Sequence, residues 1–231
     1  AVVASHGPHH GEERVLSGRA GSGTVFFSGC NLHCAFCQNW DISHEVHGEP
    51  LDAEELAEVF LDLQAMGCHN LNLVTPSHVV PQILAALDVA TRNGLRLPLV
   101  YNTSGYDAVD TLRLLDGVVD VYMPDLKTLD SSFAGKALTA DDYPEVATAA
   151  IVAMHRQVGD LVVDDGGLAT RGLLVRHLVM PGMAADSVAV LDWLADLSHD
   201  TFVNIMGQYR PCGDAACGGL GDDLRRRPTS A

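Results

Sequence analysis

Positive charge is scarce in this chain. Lysine and arginine together number 14 against 30 aspartates and glutamates, and only Lys127 and Lys136 are lysines. A formal net charge of −16 removes the basic surface that binding to nucleic acid or to an anionic membrane requires, so neither is expected as a partner. Long apolar runs are missing as well: no 18 consecutive residues are apolar, which excludes a membrane-spanning helix. No charged, apolar and small-residue sequence of the signal-peptide type opens the chain, so the expected location is the cytoplasm. There is no Pro/Gly/Ser-rich linker and no repeat of fixed period, and residues 1–211 are therefore expected to form one domain. A chain of 231 residues buries roughly 70% or more of its extended surface, so the fold needs no covalent or metal staple. Cysteine is sparse too, and three of the six fall on one loop. That bunching fits a reducing compartment with metal chemistry rather than a secreted disulfide framework.

The loop is 28–40, SGCNLHCAFCQNW. It spaces Cys30, Cys34 and Cys37 as C-x3-C-x2-C and places Phe36 immediately before the last thiol. Three thiolates on so short a loop converge near one point, which suits a multinuclear metal centre better than a disulfide. Four protein ligands would close such a centre, whereas three leave one position free for something that reacts. A zinc ion held by the three cysteines with His33 or His44 is the competing arrangement.

Around this loop the chain alternates. Apolar runs at 24–28, 71–74, 97–101, 118–123, 173–179 and 202–206 are nearly continuous, as in parallel strands covered on both faces. Between them lie helical stretches over 52–66 and 81–92 and from near residues 107, 144 and 186. In the first of these, Leu56, Val59, Phe60 and Leu63 recur at i, i+3, i+4 and i+7, with Asp52 and Glu55 forming a capping box. Six strands alternating with helices predict an α/β fold, and right-handed crossovers wind such units into a barrel or a doubly wound sheet. The polar endings of the strands favour a partial (β/α)6 barrel of the TIM type. They are the cysteine loop, Thr75-Pro76-Ser77-His78, Asn102-Thr103-Ser104-Gly105, Asp125-Leu126-Lys127, Met180-Pro181-Gly182 after Arg176, and Gln208-Tyr209-Arg210. In β/α barrels the active site is built from these ends. Asp125 and Lys127, two residues apart, predict either an ion pair or a receptor for a zwitterion, with Lys127 facing a carboxylate. The His-rich residues 1–20, including His6, His9 and His10, read as an irregular surface lead-in. Residues 212–231, with Cys212 and Cys217, read as a flexible tail. Cys68 reads as a small buried hydrophobe.

The cysteine spacing with its preceding aromatic resembles the signature of the radical S-adenosylmethionine (SAM) enzymes, in which three cysteines hold a 4Fe-4S cluster whose fourth iron binds SAM. NLVTPSH, YNTSGY, YMPDLK, RHLVMPG and VNIMGQYRP extend the resemblance to the branch related to pyruvate formate-lyase activating enzyme. The resemblance implies reductive cleavage of SAM to methionine and a 5′-deoxyadenosyl radical, with hydrogen then abstracted from a substrate. It implies an electron donor such as flavodoxin or ferredoxin, and a partner protein whose glycine is the substrate. By similarity Asn102, Thr103, Ser104, Met123, Asp125 and Lys127 surround the SAM carboxylate and a monovalent cation, Phe36 lies by the adenine, and Arg176 faces the cofactor. Two departures stand out. Thr75-Pro76-Ser77 occupies the place of the Gly-Gly-Glu that engages the SAM amino group, and Asn102 replaces an aspartate. Members of the branch carry a cysteine-rich segment upstream and more chain downstream, which implies that this chain is a fragment at both ends. A radical SAM enzyme acting on a small molecule or a different peptide and a non-enzymatic iron-sulfur or zinc protein are the alternative functions.

The open-site reading predicts that Cys30→Ala, Cys34→Ala or Cys37→Ala abolishes iron-sulfur binding by anaerobically reconstituted protein, while Cys68→Ala does not. Iron analysis and absorbance of the four variants check this; equal loss from Cys68→Ala counts against it.

Overall fold

Five consecutive parallel pairings organise the computed structural model, which describes residues 1–218 and 220–228. In chain order the elements are β1 (Val2–His9), α1 (Arg14–Ser17), β2 (Ser22–Phe27), α2 (Trp40–His44), β3 (Glu49–Pro50) and α3 (Ala53–Ala65). There follow β4 (Leu71–Val74), α4 (Val80–Arg92), β5 (Leu99–Thr103), α5 (Val109–Leu114), β6 (Val121–Pro124), α6 (Ser131–Ala137) and α7 (Tyr143–Val158). The chain continues through β7 (Val162–Val163), β8 (Ala169–Leu178), α8 (Ala184–Leu197), β9 (Phe202–Met206) and α9 (Gly213–Ala216). The parallel set is β2-β4-β5-β6-β8-β9. Among the described residues β9 pairs only with β8, so the sheet curves as a partial barrel without closing. No helix among these residues is long and apolar enough to cross a membrane.

The strands are apolar on both faces because both are covered. Leu71 and Leu73 of β4 pack outward with Leu56, Phe60 and Leu63 of α3 and with Ile83 and Leu87 of α4. Facing inward, Val100, Val121, Met123, Ala169 and Leu174 form a separate cluster around Leu16. The expected capping box is present: Glu55 N donates to Asp52 Oδ1 and Asp52 N to Glu55 Oε2, each at 2.9 Å. The strand expected at 97–101 instead covers Leu99–Thr103. Asn102 and Thr103 are therefore paired strand residues rather than loop residues, with Asn102 opposite both Val74 and Met123.

Two expectations are corrected. Residues 1–20 are not an irregular lead-in. β1 runs antiparallel to β2 from Val3↔Phe27 to His9↔Ser22, and the following segment carries Leu16, fully buried, into the barrel interior. Its polar composition misled because a strand can be held through its backbone while most of its side chains face out. Residues 212–218 and 220–228 are likewise ordered against the core. Ala215 N donates to Ala35 O at 2.9 Å, Tyr209 OH donates to Leu224 O at 2.7 Å, and Ala215 and Leu224 are buried. The same expectation for residues 219 and 229–231 lies outside the described residues.

Deleting a fully buried leucine side chain costs about 2–5 kcal/mol. Leu16→Ala is therefore expected to lower stability by that amount in chemical denaturation. A change below about 0.5 kcal/mol, usual for a surface site, would return residues 10–20 to a loosely attached lead-in.

Candidate active site

β2 ends in the cysteine loop, and local contacts fix how the chain leaves the strand. Gly29, at φ +85°, donates its N–H to Ile42 O at 2.7 Å, and His78 Nε2 donates to Ser28 O at 2.9 Å. Leu32, Cys34 and Phe36 are buried, with Phe36 stacked on Phe133 at 6.5 Å and edge-on to Tyr209 at 6.3 Å. Cys30 Sγ accepts from Leu32 N at 3.4 Å, and Cys37 Sγ lies 3.1 Å from Ser43 Oγ. Burial pushes the Cys34 thiol up to about 12 and raises Cys30 as well, with Lys127 opposing both shifts. Thiols this reluctant to ionise become thiolates when a cation binds them.

At the end of β4, Thr75 holds φ +58°, a left-handed conformation that is rare for a β-branched residue and concentrates at functional sites. Its N–H donates to Asn102 O at 2.9 Å. The place where the resembled branch has glycine is thus filled by a threonine in a glycine-like conformation. After β5, Thr103 Oγ1 and Tyr101 OH donate to the buried carboxylate of Asp107 at 2.5 and 2.9 Å. Burial raises the Asp107 pKa, and these hydroxyls oppose the rise. Gly105 follows at φ +81°, where a Cβ would stand 2.4 Å from Asp125 O; only glycine lets the two loops approach so closely.

Asp125 is the centre of charge. Lys127 Nζ donates to its Oδ2 at 2.7 Å and Arg176 Nε to its Oδ1 at 2.9 Å, while Arg176 Nη2 donates to Asn102 Oδ1 at 2.8 Å. Burial raises the Asp125 pKa, but Arg176 and Lys127 outweigh it and hold the carboxyl below the ordinary range. Burial likewise lowers Lys127 and Arg176, and Asp125 more than restores them. All three groups are therefore charged at neutral pH. Glu12 reaches Arg176 Nη1 from the other side at 3.7 Å. Tyr143, the first residue of α7, locks the loops after β5 and β6 together. Its hydroxyl accepts from Lys127 N at 3.0 Å and donates toward Ser104 O and Asp125 O, each at 2.9 Å.

One cavity of about 260 Å³ joins these groups. Cys30, Cys34, Phe36, Cys37, Thr75, Asn102, Thr103, Ser104, Asp125, Lys127 and Arg176 all line it, together with Gln38, Asn39, Met206 and Gln208. Met123 does not; its side chain lies in the inward cluster with Leu16. Glu12, Asp107 and Tyr143 were missed in sequence, since they act through contacts 16 to 164 positions away or sit in ordinary helix and loop contexts. The YNTSGY run followed by Asp107 was the one available signal.

The donor sets decide which groups fit. Three thiols with a free side toward a polar cavity suit an open iron-sulfur cluster. Among the described residues no three His, Cys, Asp or Glu side chains, the three cysteines included, stand close enough to hold a single metal ion; the thiols share the cavity wall without a closed ligand set. Paired cations beside a carboxylate suit a zwitterion. A monovalent cation is disfavoured on charge: the Asp125 and Asn102 oxygens it would approach each accept from Lys127 or Arg176, whose charged nitrogens stand 2.7–2.9 Å from them.

Residues 24–165 match the model of the radical SAM superfamily, and the chain belongs to that family, whose members use a 4Fe-4S cluster and SAM. An uncharacterised protein of Methanocaldococcus jannaschii is 32% identical over 211 residues, covering 88% of this chain and 57% of its own; the chain thus spans little more than half of that relative. Two solved structures are similar in fold at 13% identity. One is Streptococcus suis SuiB, with a TM-score of 0.56 over 82% of this chain and 42% of its own. The other is the radical SAM methyltransferase TsrM of Kitasatospora setae with tryptophan and a SAM analogue, with a TM-score of 0.57 over 81% and 36%. A third, anSMEcpe with bound AdoMet and a peptide, has a TM-score of 0.51 at 10% identity, over 80% and 50%.

Removing the Tyr143 hydroxyl leaves a buried N–H and two carbonyls without their partner. Tyr143→Phe is expected to cost about 1–3 kcal/mol in chemical denaturation; an unchanged midpoint would show that the two loops hold each other without it.

Proposed function

We propose that this protein cleaves SAM reductively and uses the resulting radical to abstract hydrogen from a polypeptide, with a backbone glycine of a partner protein as the first candidate. The observation that carries the reading is the convergence of three cysteine thiols and the Asp125–Lys127–Arg176 group on one cavity at the C-terminal ends of parallel strands. When bound, cluster and SAM together supply one-electron cleavage of the sulfonium to methionine and a 5′-deoxyadenosyl radical; the electron comes from a donor such as flavodoxin or ferredoxin.

The chain's own residues have the remaining tasks. Cys30, Cys34 and Cys37 would hold the cluster and leave one iron free for the cofactor. Lys127 and Arg176 offer N–H donors to its carboxylate, and Asp125 keeps both side chains charged and aimed. Thr75, Asn102, Thr103 and Ser104 line the same cavity and would bound the polar end of the cofactor. Phe36 supplies an apolar surface for the adenine, and the buried lining around it keeps water away from a reactive carbon.

Two features support a polypeptide as hydrogen donor. The cavity, at about 260 Å³, falls below the roughly 300–1,000 Å³ that encloses one drug-sized ligand, so a cofactor of that size would extend to its mouth and a substrate would approach from there. The strand set is unclosed between β9 and β2, leaving the end of the barrel accessible to a loop.

The test incubates reduced, cluster-loaded protein with 5′-deuterated SAM and fractionated lysate from its own source. Expected are 5′-deoxyadenosine and methionine, a glycine-type radical by EPR, and deuterium exchanged with a protein fraction. Label confined to a low-molecular-weight fraction would replace the polypeptide with a small molecule, and no 5′-deoxyadenosine from a verified cluster would overturn the reading altogether.

A further inference from the structure

The cofactor cavity contains a charge arrangement that no strand-end motif announces. Arg176 lies between two carboxylates from opposite ends of the barrel domain: Asp125 accepts from its Nε at 2.9 Å, and Glu12, delivered by the segment after β1, faces its Nη1 at 3.7 Å. Its Nη2 donates to Asn102 Oδ1 at 2.8 Å. The guanidinium thus spends one edge on each of three groups, a geometry that its planar fork of donors permits and an ammonium does not. Glu12 is itself largely buried, and its Oε2 has no hydrogen-bond partner among the described residues. Holding a carboxylate there is costly unless a nearby cation compensates it. Arg176 is that cation.

Burial raises the Glu12 pKa and Arg176 only partly offsets the rise, so the two carboxylates facing the two cations make the group neutral with Glu12 ionised and positive with it protonated; neither state attracts a further cation. Every side-chain oxygen of Asp125 and Asn102 already accepts from Lys127 or Arg176. A diffusible cation entering this group would bring an uncompensated charge into a largely buried place, and at those oxygens it would meet the repulsion of Lys127 and Arg176, 2.7–2.9 Å from them. We propose that the guanidinium of Arg176, balanced by Asp125 and Glu12 and steadied by Asn102, is the resident cation of the cofactor site, so that SAM binds without any monovalent ion. The proposal rests on the reading that the cavity takes SAM.

The test measures SAM binding by cluster-loaded, unreduced protein in potassium, sodium and choline chloride at equal ionic strength, so that no turnover enters the readout. The expected dissociation constants agree within about twofold across the three salts. Arg176→Met frees Asp125 Oδ1 and Asn102 Oδ1. It is expected to weaken binding about tenfold or more in choline and to recover severalfold in potassium or sodium, a tenfold change being about 1.4 kcal/mol. A native dissociation constant that rises tenfold when potassium and sodium are withdrawn overturns the proposal, as does an Arg176→Met protein that binds like the native one in every salt. The salt comparison on the native chain needs no variant to fold. Absence of SAM binding in all three salts, with the cluster verified, overturns the underlying SAM reading and this proposal with it.

Discussion

The carboxylate of Asp125 is the constraint on which the site depends. Alone, it would be a buried anion at the end of β6, costly and inclined to take up a proton. Lys127, two residues further along the loop after β6, and Arg176 on the neighbouring strand β8 both donate to it. Each member of the group keeps the others charged, and each is fixed by the partner it cannot leave without exposing a buried charge. The isolated β-bridge between Asp125 and Arg176 shows that the backbone imposes the same alignment. Side-chain and main-chain registers therefore enforce one geometry, the pre-organisation that a site aiming a reactive intermediate requires.

The scaffold serves that geometry through elements with no chemistry of their own. Gly105 lets the loop after β5 touch the carbonyl of Asp125, and Tyr143 clamps both loops from the start of α7. Asp107, behind the wall, holds Thr103 in place through its hydroxyl. The segment after β1 fills the interior with Leu16 and carries Glu12 to Arg176, while Glu13 accepts from Asn204 Nδ2 on β9. A stretch whose composition suggests a loose terminus thus contributes to both the core and the charge balance, and it bridges toward β9, which among the described residues pairs with β8 alone.

Local patterns were legible wherever the chemistry was local. The capping box at Asp52 and Glu55, the inward and outward apolar runs and the cysteine loop all depend on neighbours within a few positions. Element boundaries were less so: Asn102 and Thr103 read as loop residues yet pair as strand. Polar sequence also hid order at both ends, because β1 is held by backbone pairing with β2, and α9 docks through the main chain of Ala215 on Ala35. Neither contact depends on side-chain type, so hydropathy could not reveal it.

By itself the sequence determined that three thiols share one loop, that six strands alternate with helices, and that the polar strand ends share one end of the sheet. Those properties follow from spacing and period, which survive without knowledge of the fold. Only the tertiary structure decided which charges meet. Arg176 reaches Asp125 across 51 positions and Asn102 across 74, because parallel register sets β5, β6 and β8 at the same height. Glu12 joins them because β1 turns its following segment into the barrel. Contacts between distant residues arise from strand order and register, and no local pattern in the chain records either.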